Sequence, residues 1–327
     1  MEGYEIRPFR PGDEHSLFEC FNAAFPKPES ERRTRAEWSW AFEHNPAGQR
    51  IFVALSDERV VAQYAALPER VWIDGSERIF AQIVDSMVHP DHRRGLKRPR
   101  LFVHTARAFF EAFGGMERDW VHYGWPVPEA LRLGRRFLNY EIVRTQNVLV
   151  LPGPLPSSEP PGEVEPLRRY DRELRWLWDR CAPDFGASCV RDAEFFEWRF
   201  AAHPSHEYVP LGVRDSAGVL RGYAVYRKAD WVLPDLGLIV DWLVPPAETE
   251  VAELLLRALR SRAALDGARA LVALFPEWSS WFEHLQERGF RVHPTDYAMV
   301  ARNFQPRFGM AWLREHWWYQ LADTDLV

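Results

Sequence analysis

A short basic segment in the first third of the chain has the composition of an anion-binding loop. Between residues 93 and 100, five of the eight residues are Arg or Lys, none is acidic, and Gly95 lets a ligand approach the backbone closely. An alternating apolar run over 79–88 predicts a strand before this segment, and Pro99 is typical of the first position of a helix after it. Backbone N–H groups at a helix N-terminus attract anions, and nearby cations strengthen that field. The segment predicts a site for phosphate or pyrophosphate, with a solvated basic turn as the alternative.

The elements that position this segment occur twice along the chain. Three short motifs recur in the same order, with a spacing that shrinks slowly in one direction. The matching ranges are 40–46 with 198–204, 83–90 with 239–246, and 125–126 with 275–276. Three ordered matches favour a duplicated domain over chance similarity.

A proline-rich segment separates the two copies. Residues 151–162, LPGPLPSSEPPG, contain five Pro, two Gly and two Ser, which leave few donors or apolar side chains for packing. We therefore expect a first domain over 1–151, a linker over 152–162, a second domain over 163–302 and a Trp-rich tail over 303–327.

Hydrophobic periodicity predicts the same order of elements in both halves, with two helices before a series of strands. In the first half the predicted helices cover 15–25, 30–44, 100–113 and 128–136, and the predicted strands cover 51–55, 60–67, 79–88, 120–124 and 140–151. Helices and strands that alternate in this way indicate an α/β protein.

The composition excludes several kinds of partner. The 327 residues are 46% hydrophobic and 27% charged, with a net charge of −6, so we expect a folded protein whose overall field repels nucleic acid. No run of about 18 apolar residues occurs, so no membrane partner is expected.

Cysteine usage points to a reducing compartment. Only Cys20, Cys181 and Cys189 occur, without CxxC spacing, and no HExxH motif is found. We therefore expect a cytoplasmic protein with no metal site.

Residues 84–100 resemble the acyl-CoA pyrophosphate loop of the GNAT superfamily of acetyltransferases. The sequence VHPDHRRGL over 88–96 follows a predicted strand and precedes a predicted helix, as in that family. YGWP over 123–126 resembles the end of the family's fifth strand, and WFEHLQERGF over 281–290 resembles its closing helix and strand. The resemblance implies an α/β (α+β) fold of two tandem GNAT-like domains. Each would be a mixed, mostly antiparallel twisted sheet flanked by helices.

The resemblance also implies acetyl-CoA as the co-substrate and assigns the residues that bind it. The implied ligands are the strand backbone at Met87, Val88 and His89 and the loop residues Arg93, Arg94, Gly95, Leu96, Lys97 and Arg98. The loop is one residue shorter than the family's usual form, and Lys97 replaces its second small residue.

The second half lacks the basic loop. Residues 245–250 read PPAETE, with acids and no Gly, so the field has the wrong sign for pyrophosphate. We expect that this half has lost its acyl-CoA site and shapes the substrate cleft or a dimer surface.

Asp85 is the candidate general base. Amine attack on a thioester needs the amine deprotonated, and Asp85 lies on the predicted fourth strand, where regular alternation puts it opposite to Val84 and Ser86. Asp241 holds the matching position in the second half, so a shared structural hydrogen bond is the alternative.

Tyr123 is the candidate general acid. The family's usual acid is a Tyr five residues before the closing aromatic, but Arg135 and Leu285 hold those positions here. Tyr123, at the end of the predicted fifth strand, is the nearest phenol that can protonate a thiolate.

Together these features predict an N-acetyltransferase that moves an acetyl group from acetyl-CoA to the primary amine of a small molecule or amino sugar by direct attack. Two alternatives stay open: a non-catalytic tandem GNAT protein that binds an effector or a partner, and an acyltransferase with a carrier-protein or aminoacyl-tRNA donor. A homodimer is also left open.

The basic segment is tested by reversing two of its charges. We expect Arg93→Glu/Lys97→Glu protein to lose its affinity for acetyl-CoA in a calorimetric titration, because two carboxylates replace two of the five cations that attract the phosphates. The control is Arg168→Glu/Arg169→Glu protein, which changes the net charge equally outside the segment. Unchanged affinity in the first variant would contradict the assignment.

Overall fold

The computed structural model of the chain describes residues 3–93, 100–156 and 159–326. Its helices are α1 (Glu14–Ala24), α2 (Arg35–Trp38), α3 (Arg100–Phe113), α4 (Pro128–Phe137), α5 (Arg172–Cys181), α6 (Ala193–Phe196), α7 (Thr249–Leu265), α8 (Ser280–Glu287) and α9 (Met310–His316). Its strands are β1 (Glu5–Pro8), β2 (Arg50–Ser56), β3 (Arg59–Ile73), β4 (Ser76–Val88), β5 (Asp119–Gly124), β6 (Glu141–Pro152), β7 (Val164–Pro166), β8 (Ala187–Cys189), β9 (Val209–Arg214), β10 (Leu220–Ala229), β11 (Leu236–Leu243), β12 (Ala270–Ala273), β13 (Arg291–Asn303) and β14 (Trp317–Trp318).

The first compact unit consists of Met1–Arg70, Arg78–Arg144 and Tyr297–Ala311. Its strands follow the order β1, β2, β3, β4, β5 and β13. β4 and β5 are parallel, whereas β1–β2, β2–β3 and β5–β13 are antiparallel. The predicted mixed, mostly antiparallel sheet is confirmed for this unit.

Helices cover both faces of this first sheet because each helix has one apolar face. On α3, apolar residues recur at three- and four-residue spacing and pack with Phe52 and Tyr64 of the sheet. The α3 residues in this cluster are Val103, Ala106, Phe109 and Phe110. On the opposite face, Leu17 and Cys20 of α1 pack with Trp38 of α2 and with Met87 of β4.

The second compact unit consists of Val71–Glu77, Thr145–Asp296 and Trp312–Val327. Its main strands follow the order β6, β12, β11, β10, β9 and β7, and only the β11–β12 pair among them is parallel. The tail contributes to its core, because Trp317 and Trp318 are buried and Trp318 stacks on Phe185 with ring centroids 4.3 Å apart.

Each compact unit includes a strand segment from the other side of the proline-rich segment in the sequence. Val300 to Asn303, near the end of the chain, pair with β5 in the first unit. Leu149 to Pro152, which precede the segment, pair with β12 in the second unit. The predicted limits of 1–151 and 163–302 therefore follow the sequence repeats, whereas the compact units do not.

Two elements of the first half differ most from their predicted limits. The strand predicted over 60–67 continues through Pro68, and β3 ends at Ile73. The helix predicted over 30–44 begins at Arg35, because Thr34 and Glu37 form a capping box around its first turn. It then continues as a π-helical turn over Ser39–Glu43.

The three cysteines are unbridged and buried. Burial raises the pKa of the Cys20 and Cys181 thiols to about 12, so both remain protonated at neutral pH. Among the described residues, no helix has the length and apolar character needed to cross a membrane.

The repeated Pro-terminated motif ends in the same turn in both units, but with different acceptors. In the first unit, Asn45 Oδ1 accepts the Ala47 N–H at 2.8 Å. In the second, His203 Nδ1 accepts the Ser205 N–H at 3.3 Å. Burial, reinforced by neighbouring cations that include Arg199, lowers the pKa of His203 to about 2.

This lowered pKa makes stability fall with acidity. In the unfolded chain His203 binds a proton near pH 6.5, but in the folded chain only near pH 2, so acidification between these values favours unfolding. We expect wild-type protein to lose about 1–2 kcal/mol more unfolding free energy than His203→Asn protein between pH 6.5 and 5.0. Urea titrations at the two pH values measure this, and equal losses in both proteins would contradict it. Asn retains the acceptor used in the first unit.

Candidate functional site

β5 ends one residue after its last pair with β4, whereas β4 continues further. Their parallel pairing runs from Ile79–Asp119 to Gln82–Tyr123, whereas β4 continues to Val88. At Gly124 a Cβ would lie 3.0 Å from the Ile83 carbonyl oxygen, so glycine permits the last close approach of the strands. We call the gap beyond this point, beside residues 84–88, the β4–β5 opening.

A β-bulge at Asp85 reshapes β4 beside the opening. Asp85 has a φ of +51°, and Gln63 Nε2 donates to its carbonyl oxygen at 3.0 Å. Val84 and Met87 are three residues apart, yet both belong to the core cluster around Trp38. The predicted regular alternation is therefore wrong here, because an extra residue in one strand reverses the facing of those that follow.

The direction of the backbone N–H groups decides which residues of β4 can bind a ligand in the opening. The N–H of His89 donates to the Val61 carbonyl of β3 at 2.8 Å. Because N–H groups alternate between the two edges of a strand, those of Val88 and Ser86 point away from β3, towards the opening. The predicted backbone role thus fits Val88, while the N–H of His89 is already engaged and that of Met87 faces β3. Ser86 was missed because the sequence does not show this register.

Arg93 fixes the end of β4. Its Nε donates to the Val88 carbonyl at 2.8 Å, and its Nη2 donates to the Ala24 carbonyl at the end of α1 at 3.1 Å. Its predicted role in binding acyl-CoA stays a prediction. The other predicted loop residues, Arg94, Gly95, Leu96, Lys97 and Arg98, lie outside the described residues.

Tyr123 is joined to a carboxylate that the sequence did not reveal. Its hydroxyl donates to Glu69 Oε2 at 2.9 Å, and both residues are buried. Tyr123 lies opposite Gln82, in the last pair before the opening. A phenol and a carboxylate linked by one hydrogen bond can transfer a proton. Glu69 was missed because the strand was predicted to end at Leu67.

Asp85 forms an ion pair with Arg33. The Arg33 guanidinium also lies 5.5 Å from the ring centroids of Phe21 and Phe42. In the second unit Arg191 and Asp241 form the matching pair at 3.0 Å. The recurrence favours the structural role of Asp85, and its role as a base stays a prediction.

His122, beside Tyr123, points to the other face of β5. Its ring lies 5.2 Å from that of Phe109 on α3. Burial lowers its pKa, so the imidazole is neutral at pH 7. Burial raises the pKa of Asp119, but hydrogen bonds from His122 and Arg50 lower it overall. These groups bind one another and support the sheet on the side away from Glu69.

The acidic segment of the second half is held by ion pairs. Glu248 Oε1 lies 2.8 Å from Arg180 Nη2, and Arg221 also binds it. Burial raises the pKa of Glu248, but hydrogen bonds from both arginines lower it overall. This carboxylate stays charged where the first half has its basic loop.

The first part of the chain matches a known domain family. Residues 5–105 match the family model of the acetyltransferase (GNAT) domain. This range includes Glu69, Asp85 and the part of β4 that borders the opening. No curated protein is significantly similar to the chain in sequence.

Solved structures with the same fold cover most of the chain. A probable N-acyltransferase of unknown function from Enterococcus faecalis is 16% identical with a TM-score of 0.65, over 92% of this chain and 73% of that one. A GCN5-related N-acetyltransferase from Anabaena variabilis is 13% identical with a TM-score of 0.64, over 92% and 73%. Saccharomyces cerevisiae N-myristoyltransferase with bound myristoyl-CoA is 13% identical with a TM-score of 0.59, over 92% and 82%.

The bulge at Asp85 is tested by comparing Asp85→Gly with Asp85→Ala. Both variants lose the ion pair with Arg33, but only Ala is strained at a φ of +51°. The strain costs about 1–2 kcal/mol and is partly offset by the greater freedom of Gly in the unfolded chain. We expect Asp85→Gly protein to be more stable by about 0.5–1 kcal/mol in urea denaturation. A more stable Ala variant would refute the left-handed conformation.

Proposed function

We propose that the chain, whose residues 5–105 match the GNAT domain, is an N-acyltransferase that moves an acetyl group from acetyl-CoA to the primary amine of a small molecule or amino sugar. The observation that carries the proposal is the hydrogen bond from Tyr123, in the last β4–β5 pair before the opening, to the buried carboxylate of Glu69. The end of β4 beyond its last pair with β5 provides backbone donors for an extended ligand. The hydrogen bond between Tyr123 and Glu69 provides a route for a proton.

The groups around the opening fit the chemistry of pantetheine and pyrophosphate. Pantetheine contains two amides, whose carbonyl oxygens accept hydrogen bonds, and the N–H groups of Ser86 and Val88 face the opening. Arg93 holds this end of β4 in place through the Val88 carbonyl. In the proposal the pyrophosphate binds the basic residues Arg94, Lys97 and Arg98 near the start of α3.

Acetyl-CoA would supply an acetyl group on a thioester. In the proposed direct attack, the Glu69 carboxylate accepts a proton from the amine nitrogen as the C–N bond forms. The Tyr123 hydroxyl donates its proton to sulfur as the C–S bond breaks, and Glu69 returns a proton to Tyr123 along their 2.9 Å hydrogen bond. One proton thus passes from nitrogen to sulfur, and both side chains return to their starting states.

The charge of the protein supports a small basic acceptor. A carboxylate beside the reacting atoms attracts an amine, whereas the net charge of −6 opposes a polyanionic donor such as aminoacyl-tRNA. Because the fold is similar to that of N-myristoyltransferase, activity with acetyl-CoA should be compared with activity with myristoyl-CoA to determine the acyl length that the protein accepts.

The proposed roles are tested by measuring CoA release with a thiol reagent, with acetyl-CoA as donor and glucosamine and small primary amines as acceptors. We expect Tyr123→Phe and Glu69→Gln to lower kcat by about 10²–10⁴-fold, because each breaks the proton route. The KM for acetyl-CoA should change little, since neither side chain is proposed to bind the pantetheine.

Asp85→Asn protein is the matched comparison in the same assay. It removes one carboxylate beside the opening but leaves the Tyr123–Glu69 pair intact, so we expect it to retain most of its turnover. Loss of turnover in Asp85→Asn protein with normal turnover in Glu69→Gln protein would assign the role of general base to Asp85 instead of Glu69. Normal turnover in both Tyr123→Phe and Glu69→Gln would refute the proton route.

A further inference from the structure

The second unit has its own opening between parallel strands. Pairing of β11 with β12 runs from Leu236–Ala270 to Ile239–Ala273, whereas β11 continues to Leu243. Residues 239–244 match 83–88 in the sequence repeat, so Trp242 corresponds to Ser86. The backbone position that faces the β4–β5 opening in the first unit therefore has a counterpart in the second.

The C-terminal tail occupies this counterpart with a side-chain amide. The Trp242 N–H donates to Gln320 Oε1 at 2.5 Å, and Gln320 Nε2 donates to the Trp242 carbonyl at 2.9 Å. Both residues are 1% exposed. A single primary amide thus satisfies both backbone polar groups of one residue, as a neighbouring strand or a bound secondary amide does.

Buried charges hold the tail in this position. Arg191 lies between Asp241 and Asp323, at 3.0 Å and 2.7 Å, and all three side chains are almost completely buried. Arg199 donates to the carbonyl oxygens of Ala322 at 2.8 Å and Thr324 at 3.2 Å. Releasing the tail would leave Arg191 and Arg199 buried with fewer partners, which is strongly unfavourable.

We propose that the tail is an internal ligand of the second unit, in which the Gln320 amide takes the place that a pantetheine amide takes in the first. The second opening is therefore closed by the chain itself, and each chain binds one acyl-CoA. The number of acyl-CoA molecules bound per chain rests on the proposed function. The occupation of the second opening by Gln320 does not.

Residue-resolved hydrogen exchange tests the occupation directly. We expect the Trp242 amide to be protected in ligand-free wild-type protein, and CoA to leave its exchange unchanged. In Gln320→Met protein, which keeps the side-chain length but has no amide, Trp242 should exchange at least about ten-fold faster. Gln286→Met is the matched control, because the Gln286 side chain is exposed and donates only within α8, to Phe282.

Calorimetry with CoA on wild-type protein gives a second test that does not depend on a variant folding. One site per chain supports the proposal, and two sites overturn it. An unprotected Trp242 amide, or one that CoA protects, also overturns it. If CoA does not bind while Trp242 stays protected, the proposed function fails and the tail remains the ligand of the second opening.

Discussion

β4 continues beyond its last pair with β5, and the backbone of this strand end imposes a constraint on the residues around it. Where β4 leaves β5, its N–H groups lose a neighbouring strand, and a polar backbone away from water needs other partners. The bulge at Asp85, the pair of Asp85 with Arg33 and the anchoring of Val88 by Arg93 all hold β4 in its separated position. Tyr123, which donates its hydroxyl to Glu69, is the last residue of β5 paired with β4 and therefore lies next to the opening.

The two units meet this constraint in different ways. The second unit repeats the Arg–Asp pair, the capped helix with its π-helical turn and the separated strands, which supports a common origin for the halves. There the chain's own Gln320 provides the missing hydrogen bonds, and a buried arginine between two carboxylates fixes the tail. In the first unit we propose that acyl-CoA provides them. In this proposal the same arrangement of strands is closed by the chain in one unit and binds a ligand in the other.

The sequence was sufficient for what depends on local periodicity and spacing. The α3 helix has the limits that its apolar spacing predicts, and the repeated motifs correctly located matching helix ends. Features that depend on distant contacts were not predictable. The third strand was predicted to end at Leu67, which concealed Glu69. The bulge involves an Asp rather than a Gly. The placement of residues 297–303 in the first unit and 145–152 in the second depends on pairing between distant segments.

Hydrogen exchange at β4, measured with and without saturating acetyl-CoA, shows directly whether the β4–β5 opening binds the acyl donor. If the opening binds the acyl donor, acetyl-CoA slows exchange of the Ser86 and Val88 amides, which face the opening. The His89 amide, already bonded to Val61, should not change. Unchanged exchange at both Ser86 and Val88 would contradict the claim that the opening between β4 and β5 binds the acyl donor.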